Sequence, residues 1–449
     1  MTTIHSARWL VPVSSTPIEE GAIAIAGETI AAVGPRNEVI GKFPNGKHRD
    51  HGNAMILPGL INVHTHLELT VMRGYLEREE SDFFSWLKKL TLARLFNLTP
   101  DDLEVSATWG ACEALRAGIT SVGDASDSAI TSLRAVRSVG LRGVVFQESF
   151  GPDARLVSEN VDKLKNKVAE LRSEQTELVR VGVSPHAPYS VCASQLEEIA
   201  DFAAAEKLPL MMHAAESEAE DLLLREGCGL FADGLKTRAI EFKAPGCSPI
   251  QHLKQHRILD LQPLLAHCIR VDDRDLETLA ETGSKVAHCP KSNAKLRHGR
   301  APFAEFLRRG ITVGLGSDSV ASNNTCDVLE EGRFAVLLSR AGADVDGGAA
   351  EASDALYAAT MGGTRCLGLN GRVGQLAQGF DADFTVVSLN GTHQLPVYDP
   401  VTAAIFSSSG RDVVLTVVAG REVYVNGHVV GVDEERLRAR IQEISQKLR

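Results

Sequence analysis

Short apolar segments alternate with amphipathic helical patterns through most of the chain. In residues 194–202, for example, apolar positions recur at helical spacing. Eight apolar segments stand in such an alternation, at 56–63, 119–124, 143–148, 179–184, 209–213, 264–267, 285–288 and 312–318. Eight strand–helix repeats predict an α/β fold built on a closed, parallel, TIM-like (β/α)8 barrel.

Both ends of the chain show a different pattern, in which short predicted strands are separated by Gly and Asn turns. Near the start these strands are 22–26 and 29–34, and near the end they are 383–387, 413–418 and 422–425. Neither end has enough strands for a stable sheet structure alone, so we expect them to pair. The predicted division is a small β-sandwich domain from 1–57 and 368–430, a metal-dependent hydrolase barrel at 58–367, and a charged amphipathic C-terminal helix at 431–449.

Composition narrows the class of protein. The 449 residues are 44% hydrophobic and 23% charged, as in ordinary globular proteins, and the net charge is −11. This acidic balance argues against a nucleic-acid surface. The eight cysteines include no Cys-x-x-Cys pair, which favours a reducing compartment. The first 30 residues lack a signal-peptide pattern, and no run approaches membrane-spanning length. A soluble cytoplasmic protein without membrane partners is expected.

A His-x-His pair closes the first barrel strand. Residues two apart on a strand point to the same side, so His64 and His66 present two imidazoles together. Such a pair is suitable for half of a zinc site, although it also occurs by chance on half-buried strands.

Polar residues with catalytic potential follow four later strands at the carboxyl end. They are His213 with Glu216, His267, the segment 288–293 and Asp318. Each alone could cap a loop or a helix. Together, at successive strand ends on the rim where such barrels carry their active sites, they indicate one functional site.

These residues also carry a family resemblance. Residues 58–66, 186–189, 213–216, 288–293 and 316–324 resemble the amidohydrolase superfamily, specifically its cytosine-deaminase-like branch of aminohydrolases and chlorohydrolases. The resemblance spans essentially the whole chain. It implies one divalent metal ion, Zn²⁺ or alternatively Fe²⁺, held by His64, His66, His213 and Asp318. Strand four ends in Ser-Pro-His at 184–186, without the lysine of two-metal relatives, so a mononuclear site is expected.

The expected chemistry begins with water. A divalent cation lowers the pKa of bound water from about 15.7 towards 7. Asp318 can accept the water's proton, His267 can orient the nucleophile, and Glu216 can protonate a ring nitrogen of the substrate. A competing zinc-deaminase template fits His-x-Glu at 66–68, but that class also needs Pro-Cys-x-x-Cys, which the sequence lacks.

Substrate contacts are harder to assign. Phe83, Phe84 and Trp86 could form a lid over a flat heterocycle, or simply the core face of a helix. His186 resembles the family position that contacts the sugar of adenosine-like nucleosides. The family's ribose-binding acidic residue would fall at Leu95, and this departure counts against a ribosyl substrate. Arg142 and Ser322 are two more candidate substrate contacts. Arg142 and Arg73 could each meet an anionic group of the substrate, or each could form an ion pair within the protein instead.

The resemblance therefore implies an aminohydrolase that removes an exocyclic amino group as ammonia from a nitrogen heterocycle. An adenosine-like compound is the leading substrate: adenosine, S-adenosylhomocysteine, methylthioadenosine or aminodeoxyfutalosine. Alternatives are a free base or pterin such as cytosine or guanine, a triazine-type chlorohydrolase, and a barrel used only as a scaffold. The expected partners are this small heterocyclic substrate and further copies of the chain in a homo-oligomer.

Overall fold

The computed structural model describes residues 2–342 and 348–449, and its strands form one mixed sheet and two parallel sheets. The strands in chain order are β1 Thr2–Leu10, β2 Ile18–Ala26, β3 Thr29–Pro35, β4 Lys47–Asp50, β5 Ala54–Pro58, β6 Leu60–Thr65, β7 Ile119–Ser126, β8 Arg142–Ser149, β9 Val179–Pro185, β10 Met211–Ala214, β11 Leu264–His267, β12 Lys285–His288, β13 Val313–Leu315, β14 Phe384–Ser388, β15 Val413–Val418, β16 Arg421–Val425 and β17 His428–Val429.

Helices lie between these strands and after the last of them. They are α1 Arg36–Lys42, α2 Phe83–Asn97, α3 Pro100–Arg116, α4 Ala129–Ser138, α5 Val157–Glu174, α6 Ala193–Glu206, α7 Glu218–Glu226, α8 Leu230–Thr237, α9 Pro249–Gln255, α10 Asp273–Thr282, α11 Pro290–Lys295, α12 Phe303–Arg308, α13 Val320–Asn323, α14 Val328–Ala341, α15 Ala352–Tyr357, α16 Gly363–Leu367, α17 Pro400–Thr402 and α18 Glu434–Lys447. Short 3-10 turns lie at Leu67–Met72, Ala154–Leu156, Leu259–Leu261 and Gly410–Asp412, and π-helical turns at Ala358–Gly362 and Ala403–Ser407.

The eight predicted central strands form two parallel four-stranded sheets. One has the order β6-β7-β8-β9 and the other β10-β11-β12-β13. Strands β6, β7 and β8 are buried along their whole length, as expected for parallel strands covered on both faces. The prediction of an α/β fold is confirmed.

Backbone hydrogen bonds connect the edges of these two sheets. At one edge Val183 N–H donates to the Pro209 carbonyl at 3.0 Å, and His213 N–H donates to the His186 carbonyl at 2.9 Å. At the other edge Asp318 N–H donates to the His64 carbonyl at 2.9 Å. The carboxyl ends of β6 and β13 therefore meet, which brings the residues after them together.

The mixed sheet draws on both ends of the chain. Its order is β17-β16-β15-β14-β5-β1-β2-β3, with β4 paired to β1. The junction is the antiparallel pairing of β5 with β14, in which Leu57 lies opposite Thr385. Strands from the two ends are thus neighbours, as the shortage of strands at each end requires. Met1 and positions 343–347, which fall within the predicted domains 1–57 and 58–367, lie outside the described residues.

An ion pair buried between β8 and the mixed sheet corrects one prediction. Arg142 begins β8, so it lies at the amino end of the strand, away from the rim that carries the polar residues. Its guanidinium donates from Nε to Asp383 Oδ2 at 2.9 Å and from Nη2 to Asp381 Oδ2 at 2.9 Å, and 1% of the side chain is exposed. Arg142 as a substrate contact was wrong, because both carboxylates already bind it. Arg73 likewise pairs with Glu113.

The C-terminal tail packs as a helix on the molecule. In α18, Ile444 is buried and Lys447 Nζ donates to Asp102 of α3 at 2.6 Å. Within residues 2–342 and 348–449, no helix combines the length and the apolar character needed to cross a bilayer.

Candidate active site

Four strands place their polar residues at one rim. His64 lies in β6 with His66 just beyond it, His213 lies in β10, His267 ends β11, and Asp318 follows β13. All but His66 are buried side chains. His267 and Asp318 have positive φ angles of 75° and 56°, a conformation that costs energy in non-glycine residues and is concentrated at functional sites.

A glycine allows this close approach. Gly316 follows β13 directly, and a Cβ atom at this position would lie 2.9 Å from both the His64 Cβ and the Cys289 Sγ. Any larger residue would push the loop away from β6. The Gly-Ser-Asp order at 316–318 therefore lets the Asp318 backbone bond to His64 while its side chain turns towards the histidines.

The nitrogen and oxygen atoms of these residues converge. Nε2 of His64 and Nε2 of His66 lie 3.5 and 3.6 Å from Asp318 Oδ1. The Nε2 atoms of His66 and His213 are 3.3 Å apart. In two overlapping groups, one of His64, His66 and His213 and one of His64, His267 and Asp318, the potential ligand atoms all lie within 4.8 Å of one another, close enough to share a metal ion.

The hydrogen-bond partners indicate that several of these nitrogens are acceptors without donors. His213 donates from Nδ1 to the His186 carbonyl at 2.9 Å, so its Nε2 carries a lone pair. Burial above all, with the neighbouring histidines, lowers the pKa of His213 well below its usual value and that of His66 to about 3, so both rings are neutral. Nε2 of His64 and of His267 are buried without a hydrogen-bond partner.

Such a set fits a divalent cation. Neutral imidazole nitrogens and one carboxylate are zinc's common ligands, and a ligating histidine usually donates its other N–H to a carbonyl, as His213 does here. Without a cation, each orphaned buried nitrogen would carry a desolvation cost of about 1–3 kcal/mol.

Asp318 is held as a carboxylate. Ser292 and Ser322 donate their hydroxyls to Oδ2 at 2.6 and 3.0 Å, and Ser319 N–H donates to Oδ1 at 2.6 Å. Burial alone would raise the pKa of Asp318, but the close approach of the His64 imidazole, with His267 and His66 beside it, outweighs burial and holds the pKa well below its usual value. Ser322, which we expected to contact substrate, has its hydroxyl bonded to Asp318 instead.

The carboxyl of Glu216, unlike that of Asp318, lies in surroundings that favour its protonated form. It is 4% exposed, and burial, followed by the negative charges of Asp318 and Glu220, raises its pKa well above the usual value. Its Oε1 lies 3.6 Å from Nε2 of His267 and 3.6 Å from Nε2 of His298. A carboxyl that stays protonated beside a deprotonated one is the arrangement needed for a general acid.

Three residues at the site received no individual role from the sequence, although Asn293 lies in the quoted segment 288–293. Asn293 Oδ1 accepts a hydrogen bond from His267 Nδ1 at 2.8 Å, which leaves His267 Nε2 as an acceptor. His298 follows α11 in a loop, where the strand pattern gives no signal. Glu148 did carry a sequence signal, because it is a polar residue at the end of the predicted strand 143–148.

The expected lid residues lie beside the site in α2. Trp86 is 6% exposed and stacks on Phe83 with ring centroids 6.0 Å apart, and Phe83 packs edge-on against His298 at 4.5 Å. Trp86 also belongs to a helix core with Leu90, so the core interpretation holds for Trp86, and its role in a lid over the substrate stays a prediction. His186 lies within the site, with its ring centroid 4.8 Å from that of His213.

Comparison with known proteins agrees with this architecture. Residues 55–423 match the family described as the amidohydrolase family. The chain belongs to this family. A 5-methylthioadenosine/S-adenosylhomocysteine deaminase of Syntrophobacter fumaroxidans is 32% identical over 438 residues, which cover 96% of this chain and 92% of the relative. A deaminase of the same name from Nitratidesulfovibrio vulgaris is 32% identical over 435 residues, covering 96% and 93%.

Solved structures share the fold. The amidohydrolase chain superimposes on an adenosine deaminase from Xanthomonas campestris with a TM-score of 0.85 at 24% identity, covering 99% of this chain and 98% of that one. It superimposes on a zinc complex of atrazine chlorohydrolase from Arthrobacter aurescens with a TM-score of 0.84 at 25% identity, covering 99% and 100%. The predicted family and the predicted class, a deaminase-type hydrolase acting on carbon–nitrogen bonds, are confirmed.

Proposed function

We propose that this amidohydrolase uses one divalent metal ion to deaminate an adenosine-like compound, releasing ammonia. The observation that carries the proposal is the convergence of unpartnered imidazole nitrogens on Asp318, beside the buried carboxyl of Glu216, whose pKa burial raises. Relatives over nearly the whole chain are named for deamination of 5-methylthioadenosine and S-adenosylhomocysteine, which supports an adenine ring as the reacting group.

His64, His66, His213 and Asp318 would hold the ion, and we propose zinc in preference to iron. Three imidazoles and a carboxylate are suitable for either metal, and the zinc complex of the 25% identical relative supports zinc. When bound, the ion lowers the pKa of water towards neutrality and so supplies a nucleophile at ordinary pH.

The chain's own residues then move the protons. Asp318 accepts a proton from the attacking water, and His267, whose Nδ1 donates to Asn293, orients that water through Nε2. Glu216 gives its proton to the ring nitrogen next to the carbon under attack. The leaving amino group receives the proton held by Asp318, and the hydroxyl proton of the new carbonyl returns to Glu216. Phe83 and Trp86 limit the access of other water molecules.

At the level of architecture, we propose one closed eight-stranded barrel and a β-sandwich domain with the division 1–57 with 368–430, 58–367 and 431–449. The backbone bonds between β9 and β10 and between His64 and Asp318 support closure. We also propose a cytoplasmic homo-oligomer. The eight cysteines are free, in keeping with a reducing compartment, and exposed apolar side chains on α2, Leu95 and Phe96, offer surface for a second copy.

The test combines metal analysis with a substrate panel. The purified protein should contain about one zinc per chain and release ammonia from adenosine, 5-methylthioadenosine or S-adenosylhomocysteine faster than from cytosine, guanine or a pterin. Release of chloride from a chlorotriazine without ammonia release from any amine would instead establish a chlorohydrolase. Absence of both metal and turnover would establish a non-catalytic barrel.

A further inference from the structure

One lysine binds three of the segments that surround the site. Lys295, the last residue of α11, donates from Nζ to Glu77 Oε1 at 2.9 Å and to Asn324 Oδ1. Its Nζ also lies 2.8 Å from Glu80 Oε1, and Asn324 Nδ2 donates to Glu77 Oε1 at 2.7 Å. The two glutamates precede α2, and the asparagine follows α13. One ammonium group therefore joins segments that follow β6, β12 and β13.

Two of these segments support the metal-binding residues. Helix α11 holds Ser292, which donates to Asp318, and Asn293, which accepts a hydrogen bond from His267. Helix α13 begins two residues after Asp318. The third segment, residues 73–82, leads into α2. Lys295 thus lies where the approach to α2 meets the support of the metal site.

The third segment and the first turns of α2 are bound to each other. Lys89 of α2 donates from Nζ to the Tyr75 carbonyl at 3.2 Å and to Glu79 Oε1 at 3.0 Å. Phe83 and Trp86 lie in these first turns, beside the site. A contact that holds the segment in place therefore also holds these two aromatic side chains in place.

The two ends of α2 are held with different strength. Near its carboxyl end, Arg94 donates from Nε to Glu68 Oε1 at 3.0 Å, and the two side chains are 13% and 3% exposed. Just before its amino end, the side chains of Lys295 and Glu77 are 21% and 42% exposed. Breaking a buried ion pair is costly because the remaining charge is uncompensated, whereas a pair in contact with water is weak and is screened by salt. The amino end of α2 is therefore the end that opens more readily.

We propose that Lys295 is a positioning residue that holds the amino end of α2 closed over the bound substrate. The inference rests on the proposed deaminase function and deepens it. Lys295 acts through Phe83 and Trp86 rather than on the reacting atoms. When the closed state becomes less populated, the apparent dissociation constant of the substrate rises in proportion. A partly exposed ion pair shifts such an equilibrium by a factor of up to about five, and two carboxylates share this lysine, so its loss should raise KM about five- to tenfold.

The first test measures KM and kcat of the metal-loaded enzyme for adenosine and 5-methylthioadenosine. Lys295→Met should raise KM by the stated factor with little change in kcat, because the substrate, once bound, keeps α2 closed. Lys295→Arg keeps the positive charge and should remain close to the unmodified enzyme. The matched control is Lys163→Met on α5, whose ion pair with Glu159 has side chains 64% and 60% exposed and should not affect KM. Metal content and Tm of each variant verify folding.

Salt supplies a measurement that a merely structural lysine would not change. Both substrates are uncharged, so salt does not weaken their attraction to the protein, but it does screen the ion pairs of Lys295. The KM of the unmodified enzyme should therefore rise between about 0.05 and 0.5 M NaCl, and the KM of Lys295→Met should respond much less. Glu77→Gln, which weakens the same contact from the other side, should raise KM by a smaller factor because Glu80 remains.

Amide hydrogen exchange tests the contact without turnover. In Lys295→Met, residues 74–90 should exchange faster, whereas residues 94–97, beside the buried Arg94 pair, should not. Unchanged exchange at 74–90, an unchanged KM in the active enzyme, or loss of metal from folded Lys295→Met would overturn the inference. Faster exchange at 74–90 in a protein that releases ammonia from no heterocycle would overturn the proposed function and leave the role of Lys295 in holding α2 standing.

Discussion

Replacing Arg142 tests the assignment of this residue to the scaffold. Arg142→Met removes the guanidinium that bonds Asp383, whose side chain is 0% exposed. The variant leaves this carboxyl buried without its counter-ion. Removal of one partner of a buried ion pair typically costs about 3–5 kcal/mol, because the remaining charge is uncompensated. We expect the free energy of unfolding to fall by this amount.

Arg372 offers a matched control. It pairs with Asp381 at 3.0 Å, but its side chain is 51% exposed, so Arg372→Met should cost only about 0–1 kcal/mol. Denaturant unfolding followed by circular dichroism measures both changes, and kcat/KM of the folded protein should be unchanged in each. Two results would refute the reasoning: Arg142→Met as stable as the control, or a stable Arg142→Met with a raised KM, which would return Arg142 to the substrate site.

Three further predictions concern the site and the terminal sheet. Glu216→Gln should keep its metal but lose turnover by a factor of about 10²–10⁴, as for loss of a general acid; normal turnover would remove Glu216 from the mechanism. Asp318→Ala should lose metal on dialysis and show no ammonia release, and full metal content measured by mass spectrometry with normal activity would contradict its assignment. Burial first, then the charges of His51 and Arg49, lowers the pKa of His5 from 6.5 to about 3. Between pH 6.5 and about 3, unfolding therefore takes up a proton at His5, and the free energy of unfolding falls as the pH drops through this range. His5→Gln should lose less unfolding free energy between neutral pH and about pH 5 than the unmodified protein, and an equal loss would count against the buried neutral ring.

The strand pattern was sufficient for the α/β class because parallel strands buried on both faces must be apolar runs. Segment 119–124 lies within the observed strand β7, and segment 264–267 coincides with the observed strand β11. The residues quoted for the family resemblance end these strands or follow them closely, so His64, His213 and Asp318 could be named from the sequence.

Residues in loops or with two plausible partners could not be assigned in this way. His298 meets Glu216 only because the loop after α11 folds back to the rim. Arg142 and Ser322 both have side chains able to bind a substrate. What decides against Arg142 is a partner far along the chain, because Asp383 lies 241 positions away. What decides against Ser322 is the fold of the loop after β13, in which its hydroxyl already donates to Asp318.

The sequence by itself determined the alternation of strands and helices, the residue types of the metal site and the family, because these depend on local periodicity and on motifs of a few residues. Only the tertiary structure decided which acceptors remain without partners, as for Nε2 of His64 and Oε1 of Glu148, and which charges are already neutralised, as for Arg94. The physical reason is that hydrogen bonding and desolvation depend on distances of a few ångströms between residues far apart in the chain, and no pattern along the sequence encodes those distances.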